Sequence, residues 1–409
     1  MKGPLPMNPV IDDGITKENL LELLGELIGV HSPYFEEKEV MAFTHAWLSE
    51  RGFRPELHRY HETEKTDFNG VNVVGSVKGA NPGPRILLNA HLDTVNVCKG
   101  WGTDPLAPTL VGDRLYGLGA LDMKSGAAAI LLAMDAFKHR HPDFSGELVY
   151  AFVSDEEGPY GLGTQAAIRD GLFDGVDLAV IPEPSSGFCG IPFPCLCLGA
   201  RGGYNYTVSF AGKSAHAANP EEGVSAIVDA AKVMIALKES VGIADDRLGA
   251  GSLCVIETKG GGQACSVADE ASFTVFRHVV RGEDEAYLRA EVEDAARRAG
   301  IRSEMTVSFR EGVFGGSGGF DPYIADESHP YTAALRESIV DATGKPATIA
   351  YFSSIGDFNT VATRLGVPTF VFGPDGENYH TRDEFVYVDS AVGTARVIYR
   401  FLERLLCPL

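Results

Sequence analysis

The chain has 409 residues, more than one compact core usually accommodates, and its 44% hydrophobic and 22% charged residues suit a folded protein rather than a disordered one. With 35 Lys and Arg against 56 Asp and Glu, the formal charge is −21, which argues against nucleic acid and anionic membrane surfaces as partners. The longest apolar stretch, 127–133, is far too short to span a bilayer, and residues 1–8 lack the basic-then-apolar pattern of a secretory signal.

Taken in chain order, helical periodicity covers 17–28 and 36–51, and the apolar run 86–88 reads as a buried strand. A helix follows at 124–140, then a strand at 148–153, a short helix at 164–169 and a strand at 178–181. This alternation resumes with a strand at 369–372 and a helix at 388–406, and it predicts an α/β fold with a mostly parallel sheet. The middle of the chain differs. A Pro-, Gly- and Cys-rich connector at 185–198 leads to strand 204–210, helix 224–239, strands 252–258 and 271–279, helix 283–299 and strand 303–309. That β-α-β-β-α-β order is ferredoxin-like. Residues 199–309 are therefore expected to form an α+β domain inserted into a larger α/β domain made of 1–198 and 310–409. No internal repeat is visible. The GGSGG run at 315–319 reads as a flexible connection, since no strand–helix pair frames it as a phosphate cradle.

Seven cysteines (Cys98, Cys189, Cys195, Cys197, Cys254, Cys265 and Cys407) are odd in number and follow no framework spacing. Reduced thiols in a cytoplasmic protein are the simplest expectation. Cys195-Leu196-Cys197 is too tight for a zinc CxxC knuckle and reads as structural.

The ionisable residues, in contrast, cluster. Run 86–88 leads into Ala90-His91-Leu92-Asp93, run 148–153 into Asp155-Glu156-Glu157, and run 178–181 into Pro182-Glu183-Pro184. Run 369–372 leads into a Gly/Pro loop carrying His380, and Asp122 lies just before the helix that starts near Lys124. Ligands of open α/β sheets bind beyond the carboxyl ends of the strands, so four strands deliver His, Asp or Glu to one edge. Singly, each motif has a bland explanation: a turn pair, solvated loop charge, a turn residue between prolines, a surface histidine. Jointly, those explanations require the same coincidence at every strand. Asp122, Glu157 and Glu183 gathered at one edge would also repel one another without cations between them. Imidazole and carboxylate without thiolate suit Zn²⁺, with Co²⁺ or Mn²⁺ as substitutes. Two histidines and three carboxylates exceed the needs of one catalytic zinc, whereas a carboxylate shared by two ions accommodates all five.

The segments NAHLDTV (89–95), GLGALDMKSG (117–126), SDEEGPYGLGT (154–164), PEPSS (182–186), FAGKSAHAANPEEGVSAI (210–227) and FGPDGENYHTRDEFV (372–386) extend over nearly the whole chain. In them the chain resembles the M20 metallopeptidase and deacylase family. The resemblance implies that the insert 199–309 is a lid and dimerisation domain and that the larger part is a metal-binding catalytic domain. The resemblance implies that two divalent ions are held by His91 and Glu183 on one side and Glu157 and His380 on the other, with Asp122 between them. It further implies that Asp93 bonds His91 and fixes its tautomer, and that the Asp122–Met123 peptide is cis. Glu156 would be the general base, taking a proton from water acidified by the ions and passing it to the leaving amine. His216 would stabilise the tetrahedral oxygen from a neighbouring subunit, which implies a homodimer formed through the inserted domain.

Two segments depart from the family pattern. Lid domains of this family commonly carry Asn-x-x-Pro-Asp and Asp-x-Arg, which here read Cys265-Ser266-Val267-Ala268-Asp269 and Phe276-Arg277-His278. The asparagine and arginine positions are Cys265 and His278, so an amide or guanidinium for a substrate carboxylate is missing or weaker. Arg201, in Gly199-Ala200-Arg201-Gly202, keeps the pattern and joins His278 as an expected substrate contact. The leading expectation is a deacylase or desuccinylase of a small N-acyl amino acid or related amide. A dipeptidase or carboxypeptidase with the same centre is the second reading. A non-catalytic binding protein on the same fold is the third, but it would have no reason to keep Glu156 beside all five ligands.

Overall fold

Four parallel strands decide where the chemistry can sit. The computed structural model describes residues 14–240 and 242–407. In it Ser145–Val153, Asn81–His91, Leu178–Ile181 and Thr369–Val371 are neighbours in that order, all running the same way. Their central residues are buried throughout, and both faces of the sheet are covered, so the strands read as continuous apolar runs rather than alternating ones. The register aligns their ends: His91 lies opposite Val153, Leu88 opposite Val180, and Val371 opposite Ile181. Whatever follows these strands emerges at one edge.

The sheet extends further than the sequence predicts. Phe68–Lys78 and Glu56–Glu62 add antiparallel strands beyond Ser145–Val153, and Cys195–Ala200 adds one beyond Thr369–Val371. Glu56–Glu62 is mostly exposed, so its sequence carries no apolar run to announce it. The expected 185–198 connector is in fact a one-turn helix, Ser185–Cys189, followed by that last strand. A separate small sheet orders Gly376–Glu377, Phe385–Tyr387, Arg114–Tyr116 and Thr109–Val111, all antiparallel. It brings the 376–387 hairpin beside the stretch that leads to Asp122. Helix Ser125–Arg140 is buried on almost every face of its first ten residues and packs against the C-terminal helix Val388–Leu406. Both helices match expectation within a residue.

By its contacts, the chain separates into two compact units. One comprises Met1–Leu198, Ala325–Ala350 and Leu365–Leu409; the other comprises Gly199–Ile324 and Tyr351–Arg364. The second unit has the expected β-α-β-β-α-β succession: Gly202–Ala211, Ala226–Lys238, Ser252–Gly261, Glu270–Val279, Glu285–Ala299 and Glu304–Phe309. Its sheet order places Gly202–Ala211 between Glu270–Val279 and Glu304–Phe309, with Ser252–Gly261 at the outer edge. Tyr206, Val208, Phe273 and Val275 of the sheet share one core with Val233, Leu288 and Val292 of the helices.

The second unit also takes in 310–324 and 351–364, which the sequence reading assigned to the catalytic domain. Hydrogen bonds to the main chain explain the difference: Gly203 and Phe320 exchange N–H···O contacts of 2.8 and 2.9 Å, and the Asn359 side-chain amide donates to the Arg201 and Asp321 carbonyls. The GGSGG run lies within this packing. A Cβ at Gly318 would meet the Arg310 carbonyl, and one at Gly319 the Tyr204 ring, so these glycines fit close neighbours. Among the described residues, no helix is long and apolar enough to cross a membrane.

Gly126, near the start of helix Ser125–Arg140, lies where a Cβ would collide with the Pro182 carbonyl. Gly126→Ala is expected to cost about 1–3 kcal/mol of stability, because relief requires moving backbone next to Glu183. Urea unfolding would show an earlier midpoint, and an unchanged midpoint would mean that Pro182 has room to yield.

Candidate metal centre

The expected convergence is geometrically specific. His91 closes its strand, Glu156 and Glu157 follow Val153 within four residues, and Glu183 follows Ile181 by two. Asp122 lies in a short, irregular turn before helix Ser125–Arg140, next to a cis Asp122–Met123 peptide. His380 does not come directly off the end of Thr369–Val371. It sits at the tip of the 376–387 hairpin, held in the left-handed region at φ 57 between Asn378 at 69 and Asp383 at 57. Such strained backbone persists where its surroundings enforce it. Here Asp383 accepts from the Gly102 N–H at 2.7 Å, and the Asn378 side chain donates to the Asp383 carbonyl.

Asp122 is shared by two groups of potential ligands. Its Oδ1 lies 3.2 Å from His91 Nε2, and its Oδ2 lies 3.2 Å from His380 Nε2. His91 Nε2 is 3.5 Å from Glu183 Oε1, and His380 Nε2 is 2.8 Å from Glu157. Ligand atoms of His91, Asp122 and Glu183 all lie within 4.8 Å of one another, as do those of Asp122, Glu157 and His380. Glu156 stands beside the first group, with Oε2 4.0 Å from His91 Nε2.

The electrostatics fit a place for cations. Burial, reinforced by the Asp122 charge, pushes Glu157 up to about 8. Glu183 is raised well above the carboxylate range by burial and by its acidic neighbours. Asp122 is held below that range despite burial, because both histidines hydrogen-bond to it. Burial opposes charge on His380, yet hydrogen bonds to Asp122 and Glu157 raise it to about 11, and His91 is likewise raised by Glu183, Asp122 and Asp93. Protons on the histidines thus stand where positive charge is needed. Glu183 Oε2 is buried without a hydrogen-bond partner, an acceptor that a cation would satisfy.

Asp93 lies against His91 and also holds the neighbouring loop. Its carboxylate accepts from the Glu156 and Glu157 N–H groups at 3.1 and 2.8 Å, and so clamps the loop that carries both acids. His91 Nδ1 lies closer to the Asp93 carbonyl oxygen, at 3.1 Å, than to its carboxylate, at 3.5 Å. Sequence reasoning missed Glu384. Fully buried, it accepts from the N–H groups of Gly119, Leu121 and Asp122 at 2.8, 2.9 and 3.0 Å and fixes the turn that aims Asp122. An acid abutting the apolar Phe385-Val386 pair was the available clue. Glu37 does the same for Phe35 and Asp155, accepting from both N–H groups at 2.9 Å. Lys124, also buried, donates to the Leu27 and Val30 carbonyls, and burial lowers it to about 7.

The profile of peptidase family M20/M25/M40 matches residues 87–404. The chain belongs to this family. Succinyl-diaminopimelate desuccinylase of Sulfurovum sp. is 24% identical over 378 residues, covering 91% of this chain and 95% of that one. The enzyme of the same name from Polynucleobacter necessarius is 29% identical over 346 residues, covering 80% and 84%. A tripeptidase from Staphylococcus aureus superposes with a TM-score of 0.76 at 20% identity, over 95% of this chain and 98% of that one. A dinuclear metal binding peptidase of family M20 from Bacillus subtilis superposes with a TM-score of 0.70 at 14% identity, over 97% and 100%. These structures share the fold expected from the sequence, and family membership makes this M20 protein a hydrolase of amide or peptide bonds.

The remaining expected residues of this M20 chain lie in the second unit. His216 is exposed on an irregular segment, its Nδ1 accepting from the Ala218 N–H at 3.1 Å. Arg201 is partly buried, and its Nε donates to the Leu248 carbonyl at 3.0 Å. His278 has both ring nitrogens engaged, Nδ1 with Ser252 Oγ at 3.0 Å and Nε2 with Ser354 Oγ at 3.2 Å. Burial, followed by the charges of Arg201 and Arg277, lowers His278 to about 4, so the ring is neutral near pH 7. Arg277 is occupied by Glu283 at 2.8 Å and Glu291 at 3.3 Å.

In the ion-free protein, His380 and Glu157 hold protons up to about 11 and about 8. A cation must displace them. Metal binding at neutral pH is therefore expected to release protons, and affinity is expected to fall as the pH is lowered. Calorimetry in buffers of different ionisation enthalpy reads the release directly, and buffer-independent heats would contradict it.

Proposed function

We propose that this M20 hydrolase removes the acyl group from a small N-acyl amino acid or related amide. In this reading His91 and Glu183 hold one divalent ion, Glu157 and His380 hold a second, and Asp122 lies between them. The observation that carries the proposal is the double engagement of Asp122, with one carboxylate oxygen at 3.2 Å from each histidine. The ligand types suit Zn²⁺, with Co²⁺ or Mn²⁺ as substitutes. When bound, the two ions supply positive charge that polarises an amide carbonyl and makes a nearby water acidic near neutral pH.

The chain's own residues do the rest. Glu156, beside His91, accepts a proton from the attacking water and delivers it to the departing nitrogen, so the C–N bond breaks to release a neutral amine rather than an amide anion. Asp93 holds the Glu156 and Glu157 amides and thereby keeps base and ligand in register. His216, contributed by a second copy of the chain in a homodimer, donates to the developing oxyanion. Arg201 pairs with a carboxylate of the substrate. His278, neutral and fixed by two serines, forms a wall of that pocket rather than a second positive charge. The names of the curated relatives favour acyl-group removal over dipeptide cleavage, and a panel of N-acyl amino acids against dipeptides separates the two. Seven unbonded cysteines support a reducing, cytoplasmic setting.

Glu156→Ala should retain both metals by elemental analysis while kcat falls by several orders of magnitude; retained turnover would remove Glu156 from this role. His216→Ala should lower kcat with metal content unchanged, and an unaffected rate would refute its assignment.

A further inference from the structure

Three thiols converge in the larger unit, none of them among the residues assigned to the metal centre. The Sγ atoms of Cys189, Cys195 and Cys197 all lie within 4.8 Å of one another, and those of Cys189 and Cys197 are 3.4 Å apart. Two elements supply them: Cys189 ends helix Ser185–Cys189, and Cys195 and Cys197 lie on strand Cys195–Ala200. Gly190, left-handed at φ 60, stops the helix and turns the chain back toward the strand. A spacing of Cys-x5-Cys-x-Cys, which matches no knuckle, thus closes in space. Cys195 and Cys197 are fully buried, while Cys189 is only partly so and leaves a way in.

We propose that Cys189, Cys195 and Cys197 form a three-thiolate site for a thiophilic divalent cation of the Zn²⁺ class, distinct from the co-catalytic centre. Bonds of about 2.3 Å to a central ion would place three sulfurs about 4 Å apart, within the spread observed. A divalent cation bound there would displace the thiol protons and leave three thiolate ligands around it. Cysteines that only fill a core have no need to face one another. A disulfide would use two sulfurs and leave the third without a role, whereas all three are mutually close.

The site would tie together backbone that positions Glu183. Helix Ser185–Cys189 begins two residues after Glu183, and Ser185 Oγ donates to the Cys195 carbonyl at 2.7 Å while accepting from the Gly373 N–H at 3.0 Å. An ion on the three sulfurs closes the same loop from the other end.

Titration of the reduced, metal-free full-length protein with Co²⁺ tests the assignment, because only thiolate ligands give a near-ultraviolet sulfur-to-cobalt charge-transfer band. Nitrogen and oxygen ligands of the co-catalytic centre give none, so failure of one site is distinguishable from failure of the other. The expected result is a thiolate band saturating at one equivalent beyond those taken up by the co-catalytic centre. Cys189→Ser should abolish most of it, whereas Cys98→Ser and Cys254→Ser should leave it intact. Cys189 is only partly buried, so its serine variant is the one best placed to fold, with circular dichroism as the check. No band in the wild-type protein, or a band that survives Cys189→Ser, overturns the proposal. So does a disulfide between two of Cys189, Cys195 and Cys197 in protein isolated under air, shown by a thiol count two short and by peptide mapping of the linked pair.

Discussion

Acids crowded into a buried space require positive charge, and most of the larger unit is arranged around that requirement. Asp122, Glu157 and Glu183 lie close together with little solvent, and Glu183 keeps one oxygen without any donor. Burying such charges costs on the order of several kcal/mol per ion even after relaxation. Protons on His91, His380 and Glu157 offset part of that cost in the ion-free chain, and divalent cations do so with two charges each. The polarising power that favours amide hydrolysis is the same charge that makes the site tolerable to fold around.

A second set of acids faces backbone rather than cations. Asp93 accepts from Glu156 and Glu157, Glu384 from Gly119, Leu121 and Asp122, and Glu37 from Phe35 and Asp155. Each clamps a loop that emerges from the sheet edge or the turn beside it. Irregular segments at that edge would otherwise leave buried N–H groups unsatisfied. Using carboxylates for the purpose also brings further negative potential to a site that holds cations. The small sheet completes the frame by fixing the hairpin whose tip carries His380. In the second unit the ion pairs of Arg277 with Glu283 and Glu291 are internal, while Arg201 Nε donates to the Leu248 carbonyl.

Legibility in the sequence followed burial for most elements, although the fully buried strand Cys195–Ala200 lies in a stretch whose Pro, Gly and Cys content reads as a connector. The four parallel strands and the two long helices of the larger unit were readable because each lies between covering layers and therefore shows as an apolar run or a periodic stripe. The ferredoxin-like succession was readable from alternation and helical stripes instead, since its strands bury at most one face. Strand Glu56–Glu62 and the small sheet were not, since exposed or very short strands carry no such run. Segments 310–324 and 351–364 joined the second unit through backbone hydrogen bonds of Phe320 with Gly203 and of Phe352 with Arg201, and main-chain pairing leaves no mark on composition.

By itself the sequence determined the fold class, the edge of the sheet at which function lies and the residue types gathered there, because strand order and burial constrain which side chains are affordable along each run. Only the tertiary structure decided that Asp122 presents one oxygen to each histidine, that Asp93 and Glu384 hold amides, that both nitrogens of His278 are already engaged, and that Cys189 meets Cys195 and Cys197. The reason is physical. Local patterning records whether a residue faces core or solvent, whereas hydrogen-bond and ligand partnerships depend on distances between segments that the chain closes only when it folds.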